Sequence, residues 1–458
     1  MISLLDIAER IQKGPKMEEK KWDLSLFKKM GELSKKYGIN YPSNGSYLNS
    51  DDDIVDRAFQ AALDFLVEMG IYCVSTRRVV NFDEKEVLTA IREAPNETTV
   101  GEGRDARVIK KKRVEGKEPL NHCPGLHAPF TEELASLIVK NYAQITTADY
   151  LEGFNFTIVD GREIFGMPME VYAARRQLAW MREGVRKAGR PGMAIAYYPI
   201  TTRAATLIAP MDLDFGLRRT DGVLLSTLPD IKIEQDLLTA AIVYEDYGCF
   251  KVNGGGGAPI GGFCGGVEGA VIESVVETIG GWLTYRDVWS DPGLWTIWGT
   301  TTKKMQVQPE RFWGYSLVLQ VLNTQTNLIC FGDSSAQSGP GTETHLVELG
   351  ILAIEGAING ANLYIARQGH ARMNASQTPL ESEFMAEVAS AAIEAAVTRK
   401  EGNKIIKRLA EKVNGREVEN GPDDIRECYD LVHHQPKAEY EQVYLTVKKE
   451  FRNAGIPV

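Results

Sequence analysis

The sequence predicts a (β/α)8 barrel of the TIM type carrying an N-terminal extension and a helical C-terminal tail. From about residue 120, short apolar runs alternate with longer stretches of helical periodicity, which is the pattern of a parallel sheet with crossover helices. Seven such runs can be counted, and an eighth is available around residues 122–128 to close them into a ring. The third observation is the stretch NGGGGAPIGGFCGGVEG at 253–269, nine of whose seventeen residues are glycine, between an apolar run and an apolar helix. A glycine-rich link between a strand end and a helix start is where α/β proteins place ligands. A doubly wound open sheet is the rival arrangement.

Residues 1–120 read as the extension. Helical patterns at 22–37 and 51–69 precede strand-like pieces at 71–74 and 77–82, and Asp51, Asp52 and Asp53 suit the positive end of the second helix. The run RVIKKKRVEGK at 107–117 alternates apolar and basic residues, the mark of a two-stranded ribbon with a solvated edge or a patch for an acidic protein.

The barrel proper is expected over 121–400. Its candidate strands are 154–159, 193–198, 222–226, 249–252, 294–298, 327–332 and 361–366. Helical patterns fall between them at 168–187, 232–247, 267–285, 309–325, 342–358 and 381–400, with Glu273 and Glu277 set off from the apolar face of the third. Residues 401–458 read as charged C-terminal helices.

Composition narrows the function classes. With 458 residues, 43% hydrophobic and 25% charged, the chain has the balance of a folded globular protein. A net charge of -10 argues against nonspecific nucleic-acid binding. Six scattered cysteines without CxxC pairs fit reduced thiols, and no stretch approaches eighteen uninterrupted apolar residues, so a cytoplasmic protein is expected. The six histidines lack metal-ligand spacing, and no nucleophile elbow or P-loop ending is present.

In a barrel, chemistry sits on the loops after the strands. That rule gathers Tyr197 and Tyr198, the glycine stretch, Trp298, and the polar loop holding Asp333, Ser335, Gln337 and Glu343. The aromatic residues could surround a methylated cationic nitrogen, and Asp333 and Glu343 could supply its counter-charge. For Glu343 a plain helix-start role is the alternative.

A colinear series of short motifs resembles the monomethylamine:corrinoid methyltransferase family of methylotrophic methanogens. These are GIYC with RRVV (70–80), GEGRDA (101–106), AGRPGM (188–193), GGFCGGVEG (261–269), WGTTT (298–302), GPGTE (339–343) and ECYD with EYEQVY (427–430, 439–444). The resemblance implies a homo-oligomer, hexameric by analogy. It also implies methyl transfer to the Co(I) corrinoid (cobalamin) of a separate small carrier protein, with no permanently bound cofactor and no metal site. The site it suggests has Asp333 and Glu343 as catalytic groups and Ala196, Tyr197, Tyr198, Trp298, Ser335 and Gln337 around the substrate. Gly254, Gly255, Gly256, Gly257, Gly261 and Gly262 would face the corrinoid partner.

Departures from the family pattern change the substrate expectation. The family places pyrrolysine three residues after AGRPGM, where this chain has Ala196, and a family acid falls in the Gly254 to Gly257 run, which has no carboxylate. The family's Gln and Tyr ahead of GPGTE become Asp333 and Ser335. A pyrrolysine-lacking barrel points to an N-methylated or quaternary ammonium donor. The alternatives are a non-amine methyl donor such as a methylthiol or methoxy compound, or a noncatalytic ligand-binding barrel.

Overall fold

Parallel strands in a ring form the centre of the computed structural model, which describes residues 2–125, 130–154, 156–254, 257–296, 307–332, 334–368 and 377–458. Seven strands hydrogen-bond side by side in chain order: Tyr150–Glu152, Ala194–Tyr197, Gly222–Leu224, Phe250–Asn253, Trp289–Ser290, Ile329–Gly332 and Asn362–Leu363. The segment 121–124 closes the ring. On one side Cys123 N donates to Leu363 O at 2.9 Å, and on the other Asp149 N donates to His122 O at 2.9 Å. The eighth position expected from sequence is therefore filled, and the open-sheet rival is excluded.

A helix follows each of the eight, beginning with Glu132–Ala143 and ending with Pro379–Glu394. The ring therefore has the full complement of a (β/α)8 barrel, with sites expected at the strands' C-terminal rim.

Two expected strands lie a few residues away from the barrel's own. The run at 154–159 is displaced by Tyr150–Glu152, and Ile158–Val159 instead forms an antiparallel pair with Arg162–Glu163. The run at 294–298 is displaced by Trp289–Ser290, while Leu294–Thr296 pairs in parallel with Ala258–Ile260 beyond the barrel strands. In both cases the true strand is short and polar-flanked, so the more apolar neighbour gives the stronger sequence signal.

The strands bury both faces. Alternate residues such as Tyr150, Ala196, Val252, Trp289 and Phe331 fill the inside, with the Trp289 and Phe331 rings 4.3 Å apart, and the others pack against the helices. The basic run of 107–117 is structural: Arg107–Lys110 pairs antiparallel with Glu97–Val100, and Val100 and Ile109 enter the interior cluster from the strands' N-terminal side. Three of its lysines have partners: Lys110 lies 3.3 Å from Glu97, Lys111 donates to the Thr326 carbonyl and Lys112 to the Glu118 carbonyl.

The extension explains the hydrophobicity of the Val267–Tyr285 helix, nearly every residue of which is buried. Helices Glu19–Tyr37 and Asp53–Glu68 cover the side a barrel helix ordinarily shows to water. Glu273 and Glu277 are consequently buried too.

Candidate functional site

The rim is best built from the residue that ends each strand. Tyr150–Glu152 and Ala194–Tyr197 run in parallel with Glu152 opposite Ala196, and Ala196 is wholly buried in the interior cluster. Glu152 is only 1% exposed. Its Oε2 accepts a hydrogen bond from the Tyr364 hydroxyl, while its Oε1 is buried without a hydrogen-bond donor. Burial pushes this carboxyl up to about 7, against the opposing pull of the Tyr364 hydroxyl and the Arg367 charge.

A buried polar chain continues from there. The Arg367 guanidinium lies 4.9 Å from the Tyr364 ring centre and pairs with Asp291 at 3.1 Å. The Tyr315 hydroxyl lies 3.4 Å from Asp291, the Arg311 guanidinium 4.7 Å from the Tyr315 ring centre, and Arg311 pairs with Glu355 at 2.8 Å. Among the described residues of this chain, the carboxylates Glu152, Asp291 and Glu355 face the guanidiniums Arg367 and Arg311. Of these three acids, Glu152 is the one that forms no ion pair among the described residues.

The surrounding loops are held by further buried carboxylates. Asp230 N donates to Glu273 at 3.0 Å and Ile231 N to Glu277 at 3.4 Å, and Glu277 also accepts from the Gly257 amide. Asp230 and Ile231 both have left-handed backbone, at φ 64° and 57°, a conformation costly for a β-branched residue unless its surroundings fix it. Glu348 accepts from Gln337 N at 3.1 Å and Ser338 N at 3.0 Å. Burial pushes Glu273 and Glu348 each up to about 8.

Of the residues expected from sequence, the structure gathers only part at this rim. Ala196 faces inward, and Tyr198 packs on the interior cluster while its carbonyl accepts from the buried Gln177 amide at 3.1 Å. Gly254 donates its N–H to Ser226 Oγ at 3.2 Å, in a position where a Cβ would meet Leu224 at 2.9 Å. Ser335 begins a short strand, Ser335–Ala336, that pairs with Arg367–Gln368, and Gln337 follows it.

Three expectations need correction. Tyr197 points outward because strand neighbours alternate; its hydroxyl donates to Thr206 O and accepts from Ile200 N, both at 3.3 Å. Glu343 opens a helix at the surface and lies 3.5 Å from Arg416, which is the helix-start role. Gly261 and Gly262 turn away from the barrel and, with Leu24, Phe27 and Phe263, line a surface cavity of about 440 Å³. Trp298, Asp333, Gly255 and Gly256 lie outside the described residues.

Sequence reasoning missed Glu152, Asp291, Tyr364 and Arg367. Glu152 ends and Asp291 directly follows a strand whose expected position was too late, at 154–159 and 294–298. Correct strand ends would have brought both acids to the rim.

Comparison with known proteins adds a lineage to this geometry. The family model described as monomethylamine methyltransferase MtmB matches residues 2–456. Monomethylamine methyltransferase MtmB2 of Methanosarcina acetivorans and MtmB of Methanosarcina mazei are each 28% identical over 459 residues, covering 98% of this chain and 97% of theirs. The crystal structure of the Methanosarcina barkeri monomethylamine methyltransferase superposes with a TM-score of 0.88 at 26% identity, covering 99% of this chain and 98% of that one. A hydroxylamine complex of MtmB matches equally well, also at a TM-score of 0.88.

Proposed function

The chain belongs to the monomethylamine methyltransferase MtmB family, and on that premise we propose that it moves a methyl group from an N-methylated amine to the Co(I) corrinoid of a separate carrier protein. The corrinoid is the second substrate, presented at the rim by its carrier. The observation that carries the reading is the buried carboxylate of Glu152, placed beside Ala196 at the inner end of adjoining barrel strands. An acid there suits a substrate that arrives as a cation.

By the resemblance, Ala196 stands where the family has pyrrolysine, and an alanine methyl group cannot capture an amine as an imine adduct. The donor nitrogen must then be a good leaving group for another reason. A protonated or quaternary nitrogen meets that need: the C–N bond breaks, its electron pair stays on nitrogen, and a neutral amine departs. The methyl carbon bonds to cobalt through the electron pair of Co(I), which becomes formally Co(III).

The chain's own residues then have positioning work. Glu152 supplies counter-charge, the Tyr364 and Trp289 rings flank the interior with faces that attract cations, and Tyr198 and the loop from Ser335 to Gln337 border the entrance. Gly254 and Gly257 belong to the loop that would face the carrier. Gly255, Gly256, Trp298 and Asp333 belong to the same proposal, as does assembly into a homo-oligomer. No described helix is long and apolar enough to cross a membrane.

The test is anaerobic. Protein, reduced carrier and a panel of methylated amines are mixed, and conversion of Co(I) to methyl-Co(III) is followed by absorbance. Conversion with at least one N-methylated compound is expected. Conversion only with methylthiol or methoxy donors, or with none, overturns the reading.

A further inference from the structure

We propose that Glu152 Oε1 is the hydrogen-bond acceptor for the ammonium end of the methyl donor, and that the donor therefore carries at least one N–H. This rests on the methyl-transfer reading above and narrows it, by choosing between the protonated and the quaternary donors that reading allows.

The two oxygens of the Glu152 carboxyl group differ in their partners. Oε2 is satisfied by the Tyr364 hydroxyl, whereas Oε1 is buried and accepts nothing. An unsatisfied acceptor on a charged group is among the costlier features a folded interior can hold, and such features concentrate where a ligand completes them. The position also has an interior site's geometry, since Glu152 and Ala196 are register partners on the inner face of the ring. Ala196 presents only a methyl group on that face.

The chemistry of Oε1 then discriminates between cations. A mono-, di- or trimethylammonium ion brings both a positive charge and an N–H, and forms a charge-assisted hydrogen bond with this oxygen. Tetramethylammonium brings the charge alone, and it buries Oε1 under methyl groups without a donor. The aromatic rings beside Glu152 treat all four alike, because cation–π attraction does not require an N–H.

Proton counting gives an independent signature. Among the described residues, the titratable and charged groups around Glu152 are Tyr364, Tyr150, Cys123 and Arg367. Burial drives both phenols and the thiol well above their ordinary values, and Arg367 stays protonated, so at about pH 6 Glu152 is the group among them poised to change state. Its carboxyl, held up at about 7, is mostly protonated at that pH and must release its proton when an ammonium ion binds.

The experiment uses the full chain without corrinoid. Calorimetric titration with methylammonium, dimethylammonium, trimethylammonium and tetramethylammonium chlorides is run at about pH 6, in two buffers of different ionisation enthalpy. The three N–H cations are expected to bind at least about tenfold more tightly than tetramethylammonium, with release approaching one proton. Glu152→Gln should lose the preference and the proton release, and Glu152→Asp should keep the release with weaker binding.

Equal or tighter binding of tetramethylammonium, no binding of any of the four, or proton release that persists in Glu152→Gln would overturn the assignment. The first and last of these outcomes leave methyl transfer to Co(I) intact as a separate measurement. Failure of that transfer alongside normal ammonium binding would overturn the enzymatic reading instead. If Glu152→Gln does not fold, the cation panel and the proton count on the unaltered chain decide the matter alone.

Discussion

The two ends of the barrel neutralise their buried acids in different ways. Near the strands' N-terminal ends the partners are arginines. Asp221 contacts Arg182, and both are essentially unexposed; Arg190 lies 3.7 Å from Asp105, and Arg107 lies 3.6 Å from Asp149. At the C-terminal rim Asp291 pairs with Arg367, whereas Glu152, Glu273, Glu277 and Glu348 form no ion pair among the described residues and accept instead from backbone amides or a tyrosine hydroxyl. These arginine pairs hold the lower end, where Asp287 is the exception: it forms no ion pair among the described residues, and burial pushes it up to about 8. The upper end keeps acids whose protons are available, which is what a cation-binding rim requires.

The sharpest test of that contrast removes the lower pair. Asp221 also accepts from Ile195 N at 2.9 Å and Arg218 N at 2.6 Å, so it anchors two segments as well as one guanidinium. Asp221→Ala leaves Arg182 charged and buried, and should cost roughly 3–5 kcal/mol in chemical denaturation. Ammonium binding per folded molecule should be unchanged. A loss below about 1 kcal/mol would show that the lower end is not held by its charges.

The matching change at the rim should be smaller and local. Glu277→Ala strands the amides of Ile231 and Gly257, at a cost of roughly 1–3 kcal/mol. Faster hydrogen exchange is expected across residues 226–233, where Ile231 is held in a left-handed conformation at φ 57°. Glu277→Gln retains an acceptor and should restore most of the protection. Equal exchange in both variants would mean that the carboxylate does not hold this loop.

How much of this was legible in the sequence depends on which residues are asked about. The barrel could be read because its helices and most of its strands are long or apolar enough to show their period, and the 267–285 and 309–325 helices fall where the pattern put them. The rim was harder. Glu152 ends a strand of three residues and Asp291 follows one of two, both too short to show a period, with more apolar runs just downstream drawing the assignment away. Tyr197 was misassigned because adjacent tyrosines look equivalent in sequence, although a strand sends them to opposite faces. Glu273 and Glu277 read as a polar helix face, and only the packed extension shows that this face is buried.

The comparison also fixes the sign of the pH response at the rim. Burial holds Glu273 and Glu348 at about 8 and Glu152 at about 7, above their value of 4.5 in the unfolded chain. Between about pH 4.5 and 8 the folded protein therefore binds more protons than the unfolded one, and the stability these groups contribute falls as pH rises. The unfolding free energy should drop from about pH 6 to pH 8.5, by on the order of 5 kcal/mol if the three acids titrate independently, with Glu348→Gln flattening part of the slope. On the extension the sign reverses: Asp64 is drawn below its ordinary value by Lys36 and Tyr37 despite some burial, so its contribution is lost only as pH falls below about 4. A rim whose stability rose with pH would contradict the assignment of these acids as buried and unpaired with cations.

The smallest effect is expected at Glu343, the acid that sequence reasoning placed in the catalytic set. It sits at the first turn of the Glu343–Ile358 helix with its side chain 38% exposed, and its partner Arg416 is 49% exposed at 3.5 Å. Solvent screens such a pair, and the favourable helix-end position adds only a few tenths of a kcal/mol. Glu343→Gln should therefore change stability by less than about 0.5 kcal/mol and leave both ammonium binding and methyl transfer within about twofold of the unaltered chain. The same substitution at Glu152, on the inner face of the rim, should abolish the ammonium preference. Two glutamates, one ending a strand and one opening a helix at the same end of the barrel, thus separate by burial. A large loss of transfer in Glu343→Gln would mean that the surface beside Arg416 takes part in the reaction, through the carrier that must dock on that end.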